Sequence, residues 1–160
     1  MDALTQLLVL VTALLLGSSV AISLDDTPVQ NFQKTCVKWA TKGPAILVAV
    51  CPSMSGEQIC SKLDLDLCMS VSWFGDRPFD FTMEGKDNGY ISDHCVGCSI
   101  RNDQVLIPPD VDTQLKCECS RESVAEPWTG IVHMDPWIGN VDGYLKCYEH
   151  VGEKQDSCPI

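Results

Sequence analysis

The chain has 160 residues, ten cysteines, and 22 Asp+Glu against 11 Lys+Arg, a formal net charge of −11. That length holds one ordinary domain, or two small halves sharing a core, and excludes a multidomain enzyme; the acidic balance excludes nucleic acid and anionic membrane surfaces as partners. At 45% apolar and 21% charged the composition is that of a globular protein, whose cysteines form disulfides, hold a metal or act as thiols.

The first element is an apolar run, Leu7 to Leu16, broken only by Thr12. It is shorter than the roughly 20 residues that a bilayer requires. Gly17-Ser18-Ser19-Val20-Ala21 follows, with small residues at the −3 and −1 positions of a cut after Ala21. Residues 1–21 therefore read as a secretory signal peptide, although its n-region carries Asp2 and no Lys or Arg. An N-terminal helix of the fold is the alternative. Residues 22–30 form an N-terminal extension, and no later apolar run exceeds Ala45 to Cys51, so no membrane anchor is expected. The mature protein is expected to be secreted and extracellular.

After the extension, Ile46-Leu47-Val48-Ala49-Val50 is β-prone, and a brief helical turn is expected near Leu63 to Leu67. Gly89-Tyr90-Ile91 enters another candidate strand, and Gln104-Val105-Leu106-Ile107 is a further one, followed by an extended loop at Pro108-Pro109-Asp110. A second helical turn is expected near Met134 to Ile138. Val141 to Lys146 reads as a hairpin, because Asp142-Gly143 suits the positive φ angles of a two-residue turn. The class is all-β with minor helix.

Two stretches repeat. Phe32-Gln33-Lys34-Thr35-Cys36 is echoed by Ile91-Ser92-Asp93-His94-Cys95, an offset of 59 residues; Cys51 is echoed by Cys119, and Leu63 to Met69 by Val132 to Ile138. Repeat one covers about 31–88, repeat two about 89–148, and 149–160 is a C-terminal tail. If Cys36 pairs with Cys51, Cys95 pairs with Cys119. Cys98 and Cys117 then remain as a pair, and their first-half counterparts, Trp39 and Ala49, lack cysteine together, as a bridge requires. Cys60, Cys68, Cys147 and Cys158 allow three pairings that the sequence leaves open. Secretion favours disulfides over the rival readings of Cys95-x-x-Cys98 and Cys117-x-Cys119, a four-thiolate zinc site or a redox pair.

Phe32-x-x-Thr35-Cys36, a second Cys after an aliphatic run, and Leu63-Asp64-Leu65-Asp66 resemble one cyanovirin-N repeat. Ile138-Gly139-Asn140-Val141-Asp142-Gly143-Tyr144-Leu145-Lys146 resembles the end of the other, and the similarity covers roughly Asn31 to Tyr148. The Cys-x-x-Cys…Cys-x-Cys variant is similar to that of fungal members. The resemblance implies a two-repeat, pseudo-symmetric cyanovirin-N-like fold of short sheets and hairpins. It further implies a lectin for mannose-type oligosaccharides or glycoprotein glycans, without metal, cofactor or catalysis, as a monomer or a swapped dimer. It also implies a carbohydrate site at Lys34, Thr35, Pro52, Ser53, Met54, Asn140, Val141 and Asp142, in which Lys34 and Pro52 depart from the family's usual residues. Asp142 accepts from hydroxyls, Asn140 donates and accepts, and backbone groups near Thr35 and Ser53 add further bonds.

The symmetry-related position, Ser70 to Asp76, lacks the Asn-x-Asp-Gly turn and is followed by an altered segment, Arg77 to Asn88. With Asp93-His94 and Ser120-Arg121-Glu122 around it, this half is expected to have lost the family's sugar geometry. His94, His133 and His150 show no metal-ligand spacing, and no nucleophile motif occurs. Asp64 and Asp66 suit a turn or cap better than paired catalytic acids. Trp39 and Trp137 are expected to pack inward; Trp73 and Trp128, in loop-like stretches, are candidates to stack on a sugar face. No Asn-x-Ser/Thr sequon is present. Two other readings stand beside the lectin: a secreted interaction or effector protein on the same scaffold with sugar binding lost, and a small secreted hydrolase.

Overall fold

The structure is a computed structural model that describes residues 30–77, 80–102, 113–121 and 126–160. The expected signal peptide, the candidate strand Gln104 to Ile107 and the loop at Pro108-Pro109-Asp110 lie outside them. Among the described residues the fold is all-β, with one short helix, α1 (Phe32–Thr35), and twelve strands. In the first half β1 (Lys38–Lys42), β2 (Ile46–Pro52) and β3 (Gln58–Asp64) form an antiparallel sheet. A hairpin, β4 (Met69–Trp73) with β5 (Phe81–Gly85), follows. The second half repeats the plan with β6 (Cys95–Asn102), β7 (Thr113–Cys119) and β8 (Trp128–His133), then a hairpin of β9 (Gly139–Val141) and β10 (Tyr144–Cys147). In the tail, β11 (His150–Val151) pairs with β10, and β12 (Glu153–Lys154) adds to the open edge of β3.

Each half begins alike. Asn31 has φ 65° and precedes α1; Tyr90, its repeat partner, has φ 53° and precedes a 3-10 turn at Ile91–Asp93. Gly89-Tyr90-Ile91 is therefore not the start of a strand. A left-handed residue reverses the chain there, and the strand begins only at Cys95. The turn near Leu63 to Leu67 is a 3-10 helix at Leu65–Leu67, capped by the Asp64 carboxylate accepting from the Asp66 amide at 3.0 Å. Asp66 in turn accepts from the Ser92 amide and hydroxyl at 2.7 and 2.6 Å. This pair of carboxylates thus closes a turn and joins the two repeats.

The hairpins cross over between the halves. β9 and β10 lie on the first half: Phe32 N donates to Ile138 O at 3.1 Å, and Leu145 N donates to the buried Ser61 hydroxyl at 2.9 Å. β5 lies on the second half, where Gly130 of β8 leaves room for Met83 and Phe81. One core results, built from Phe32, Leu47, Leu63, Leu65 and Met69 of repeat one with Ile91, Leu115, Met134, Ile138 and Leu145 of repeat two. Trp39 packs edge-on to Phe32, and Trp137 packs over Gly85, both half-buried against this core.

All ten cysteines are bonded: Cys36–Cys51, Cys95–Cys119, Cys98–Cys117, Cys60–Cys158 and Cys68–Cys147. The first two occupy equivalent places in the two halves, and Cys98–Cys117 crosses the β6–β7 pair beside a bulge at Gly97 (φ 60°). Cys68–Cys147 ties repeat one to the final strand of repeat two, and Cys60–Cys158 fastens the tail to β3.

Candidate functional site

Three segments distant in sequence meet at one pole of the first half. α1 is held at its start by an Asn31–Gly139 bridge and at its end by Cys36–Cys51. The second segment is the loop between β2 and β3. Ser53 N donates to Glu57 O at 2.8 Å, Glu57 N to the Ser53 hydroxyl at 3.1 Å, and Gly56, with φ 86°, turns the chain. The third is the β9–β10 turn. Asp142 and Gly143 have φ 51° and 90°, the two positive values of a type I′ hairpin, with Val141 opposite Tyr144. Glycine is required at 143 for a second reason: a Cβ there would lie 2.6 Å from Ile59 Cδ1.

Two hydrogen bonds lock the turn to the loop. The Asn140 amide donates from Nδ2 to Pro52 O at 3.0 Å, and Met54 N donates to Asp142 Oδ1 at 2.7 Å. Asn140 Oδ1 also accepts from Gly143 N at 2.8 Å, so both ends of this half-buried amide hold the scaffold. Asn140 thus positions the turn, and its second amide N–H and second oxygen lone pair take no part in these two bonds. Asp142 is exposed and keeps its second carboxylate oxygen toward solvent chemistry.

Thr35 and Lys34 are exposed at the end of α1; the Thr35 hydroxyl donates back to Phe32 O at 3.1 Å. The Lys34 ammonium makes no ion pair among the described residues. Pro52 and Ser53 are half-buried, Val141 is exposed, and Met54 is 89% exposed, an apolar side chain beside the Asp142 carboxylate. One contributor is invisible to local sequence reading. Lys154 of β12 donates to Glu57 at 3.1 Å, bracing the loop from 97 residues away. Glu57 raises the lysine above its ordinary value through that hydrogen bond and its charge.

The opposite pole is built differently among the described residues. Where the first half has its open turn, Trp73 packs against Phe81 (centroids 4.9 Å) and His94 (6.1 Å). Arg121 lies over the Trp73 ring at 5.9 Å and donates to Gly75 O at 3.0 Å. Ser72 donates to Glu84. Trp73 is half-buried in these contacts, and its indole nitrogen is buried without a hydrogen-bond partner among the described residues.

Among the described residues no group of His, Cys, Asp and Glu is arranged to hold a metal, and no helix is long and apolar enough to cross a membrane. The four cysteines of the zinc alternative are in disulfides.

Residues 32–146 match the family model described as the CVNH domain. No curated protein matches the chain. Among solved structures, the NMR structure of GzCVNH from Gibberella zeae is 21% identical, with a TM-score of 0.55, over 74% of this chain and 97% of that one. A designed cyanovirin-N homolog lectin is 19% identical, with a TM-score of 0.53, over 72% of this chain and 96% of that one. Microvirin, solved as a complex with mannobiose, is 20% identical, with a TM-score of 0.52, over 74% of this chain and 99% of that one. At these identities the likeness is one of fold.

Proposed function

The chain belongs to the CVNH family, which includes carbohydrate-binding lectins, and from that premise we propose that it is a secreted lectin recognising mannose-type oligosaccharides through one site. The observation that carries the reading is the double lock between turn and loop, Asn140 to Pro52 and Met54 to Asp142. It fixes a charged acceptor and a hydroxyl-bearing loop side by side. Hydrogen-bonding groups held in position before a ligand arrives cost little ordering entropy on binding. Asp142 accepts from a pair of sugar hydroxyls, the Thr35 and Ser53 region supplies further partners, and Met54 covers an apolar ring face. The neutral ligand suits a strongly acidic protein, since no charge has to be matched.

The domain, residues 31–148, works without catalysis, and the tail braces it. With Trp73 packed on Phe81 and His94 where the first half has its turn, the reading gives the protein one site of the family's type. The test is a glycan array probed with the oxidised mature protein and with Asp142→Ala. Binding to oligomannose that the variant loses, with its circular dichroism unchanged, supports the reading. Failure of the intact protein on every mannose-containing glycan sinks it and favours an interaction protein on the same scaffold.

A further inference from the structure

The tail, residues 149–160, lies beyond the stretch that matches the family, 32–146, and it joins two sheets that share no strand. β11 pairs with Lys146 and Cys147 of β10, and β12 pairs with Ser61 and Lys62 of β3. Gly152 sits at the crossing, its N–H donating to Leu145 O at 2.8 Å. A Cβ there would lie 2.5 Å from Ser61 Oγ and 2.8 Å from Lys62 O, so glycine lets the tail lie close across β3. β3 and β10 are also the strands that begin at the candidate site: Glu57 of the loop precedes Gln58, and Gly143 of the turn precedes Tyr144. The tail is thus a strap over the roots of the loop and of the turn.

The two ends of the strap are held unequally. Its root is fixed by the pairing with β10, by Cys68–Cys147, and by His150 Nε2 bonded to Asp87 Oδ1 at 2.8 Å. Its far end runs antiparallel to β3, back toward the loop, where Gln155 N donates to Cys60 O at 2.8 Å and Cys158 bonds to Cys60. Apart from that bridge, the far end has a two-residue strand and two surface ion pairs, Lys154–Glu57 and Lys62–Glu153. So short a strand is marginal by itself and surface ion pairs contribute little, so the disulfide is what keeps the far end down. It is also the bridge that a reductant reaches first. Nine of the ten cysteines are buried, and Cys158 alone is half-buried. Exchange requires that a thiolate reach a sulfur.

We propose that Cys60–Cys158 is a redox latch on the candidate site: a dithiol opens it before the other four bridges, the far end of the strap lifts, and the Ser53-to-Glu57 loop loosens. A thiolate of the dithiol attacks Cys158 Sγ, and the Cys60 sulfur leaves as a thiolate and takes up the proton that the dithiol gave. The second thiol of the dithiol then displaces the Cys158 sulfur, which is protonated, and the dithiol closes into its own disulfide. Two electrons pass to the protein and nothing stays bound. The other four bridges, Cys68–Cys147 among them, still join the two halves, so the change is local. That the loosened site holds a sugar less tightly rests on the lectin reading above; the order of opening and the loosening do not.

The test begins with dithiothreitol titrated into the oxidised protein, with free thiols trapped by alkylation and located by peptide mapping. Cys60 and Cys158 should be labelled first, while the other eight cysteines stay bonded. Hydrogen exchange is then compared between the oxidised protein and Cys60→Ser/Cys158→Ser, a variant fixed in the open state. Where that variant does not fold, the parent opened and alkylated at this bridge alone takes its place. The Met54 and Glu57 amides, which donate to Asp142 Oδ1 and Ser53 Oγ, should exchange about 2- to 10-fold faster, the equivalent of one hydrogen bond. Amides of the β6–β7 pair should exchange as before, and mannobiose affinity should fall by a similar factor. Another bridge opening first overturns the proposal. So do unchanged exchange at Met54 and Glu57, equal quickening of the β6–β7 amides, and mannobiose bound equally well in both states. Quickened exchange confined to the loop, in a protein that binds no mannobiose in either state, supports the latch and sinks the lectin reading alone.

Discussion

Replacing Asn140 by Ala tests whether the cleft is held by the amide or merely contains it. The substitution removes the bond to Pro52 O at 3.0 Å and the one from Gly143 N at 2.8 Å. Each such bond contributes about 0.5–1.5 kcal/mol net, and a buried donor left unpaired, here Gly143 N–H, costs about 1–3 kcal/mol. Counting the Pro52 bond and the orphaned Gly143 N–H once each, the sum is a loss of roughly 1.5–4.5 kcal/mol. Asp142→Asn is the control: asparagine keeps an oxygen acceptor for Met54 N and tolerates the left-handed backbone at φ 51°. It should change stability by less than about 0.5 kcal/mol. In urea titrations of the oxidised protein, Asn140→Ala should lower the midpoint by about 1 M at an m-value of about 2 kcal/mol/M, with Asp142→Asn close to the parent. Equal midpoints for Asn140→Ala and the parent would refute the assignment of Asn140 as the residue that positions the turn.

Other predictions concern the covalent frame and alkaline pH. Cys60–Cys158 and Cys68–Cys147 close nearly the same large loop, since only eight residues separate Cys60 from Cys68 and eleven separate Cys147 from Cys158. Either bridge alone therefore does most of the work of both. By the loop-entropy estimate, removing one costs about 3 kcal/mol and removing both about 8 kcal/mol. Calorimetry of the two single-bridge variants and of the double variant measures this, and strictly additive losses would contradict the nested arrangement. Tyr148 has its hydroxyl pushed above the usual tyrosine value by burial first, then by Asp87 and Glu84. The folded state thus holds that proton more tightly than the unfolded one, a contribution complete below the ordinary tyrosine value and lost as pH rises through the folded one. Tyr148→Phe should flatten the fall in melting temperature between about pH 9 and pH 11; a fall of equal slope in both proteins would refute the assignment.

Much of this fold is legible in the sequence because it is written twice. The Phe32-to-Cys36 and Ile91-to-Cys95 echo locates both halves, and the joint absence of cysteine at Trp39 and Ala49 isolates Cys98 with Cys117. What escapes is whatever depends on one half touching the other. Cys60 pairs with a tail residue 98 positions away, and nothing local marks it. Gly89-Tyr90-Ile91 has strand-like composition, but the left-handed φ at Tyr90 is set by the packing of Ile91 into the shared core. Asn140 reads as a ligand contact or a turn residue, and its bond to Pro52, 88 positions away, is invisible locally. Trp73 and Trp128 have similar loop-like surroundings in sequence. The hairpin crossover half-buries Trp73 against Phe81 and leaves Trp128 exposed.

A crystal structure of the oxidised protein grown with mannobiose tests most directly whether a sugar binds between the Pro52-to-Met54 loop and the Asn140-to-Asp142 turn. Sugar density is expected within hydrogen-bonding distance of the Asp142 carboxylate oxygen that does not accept from Met54 N, on the same side as Thr35 and Met54. No sugar density there at saturating mannobiose would contradict the proposed site.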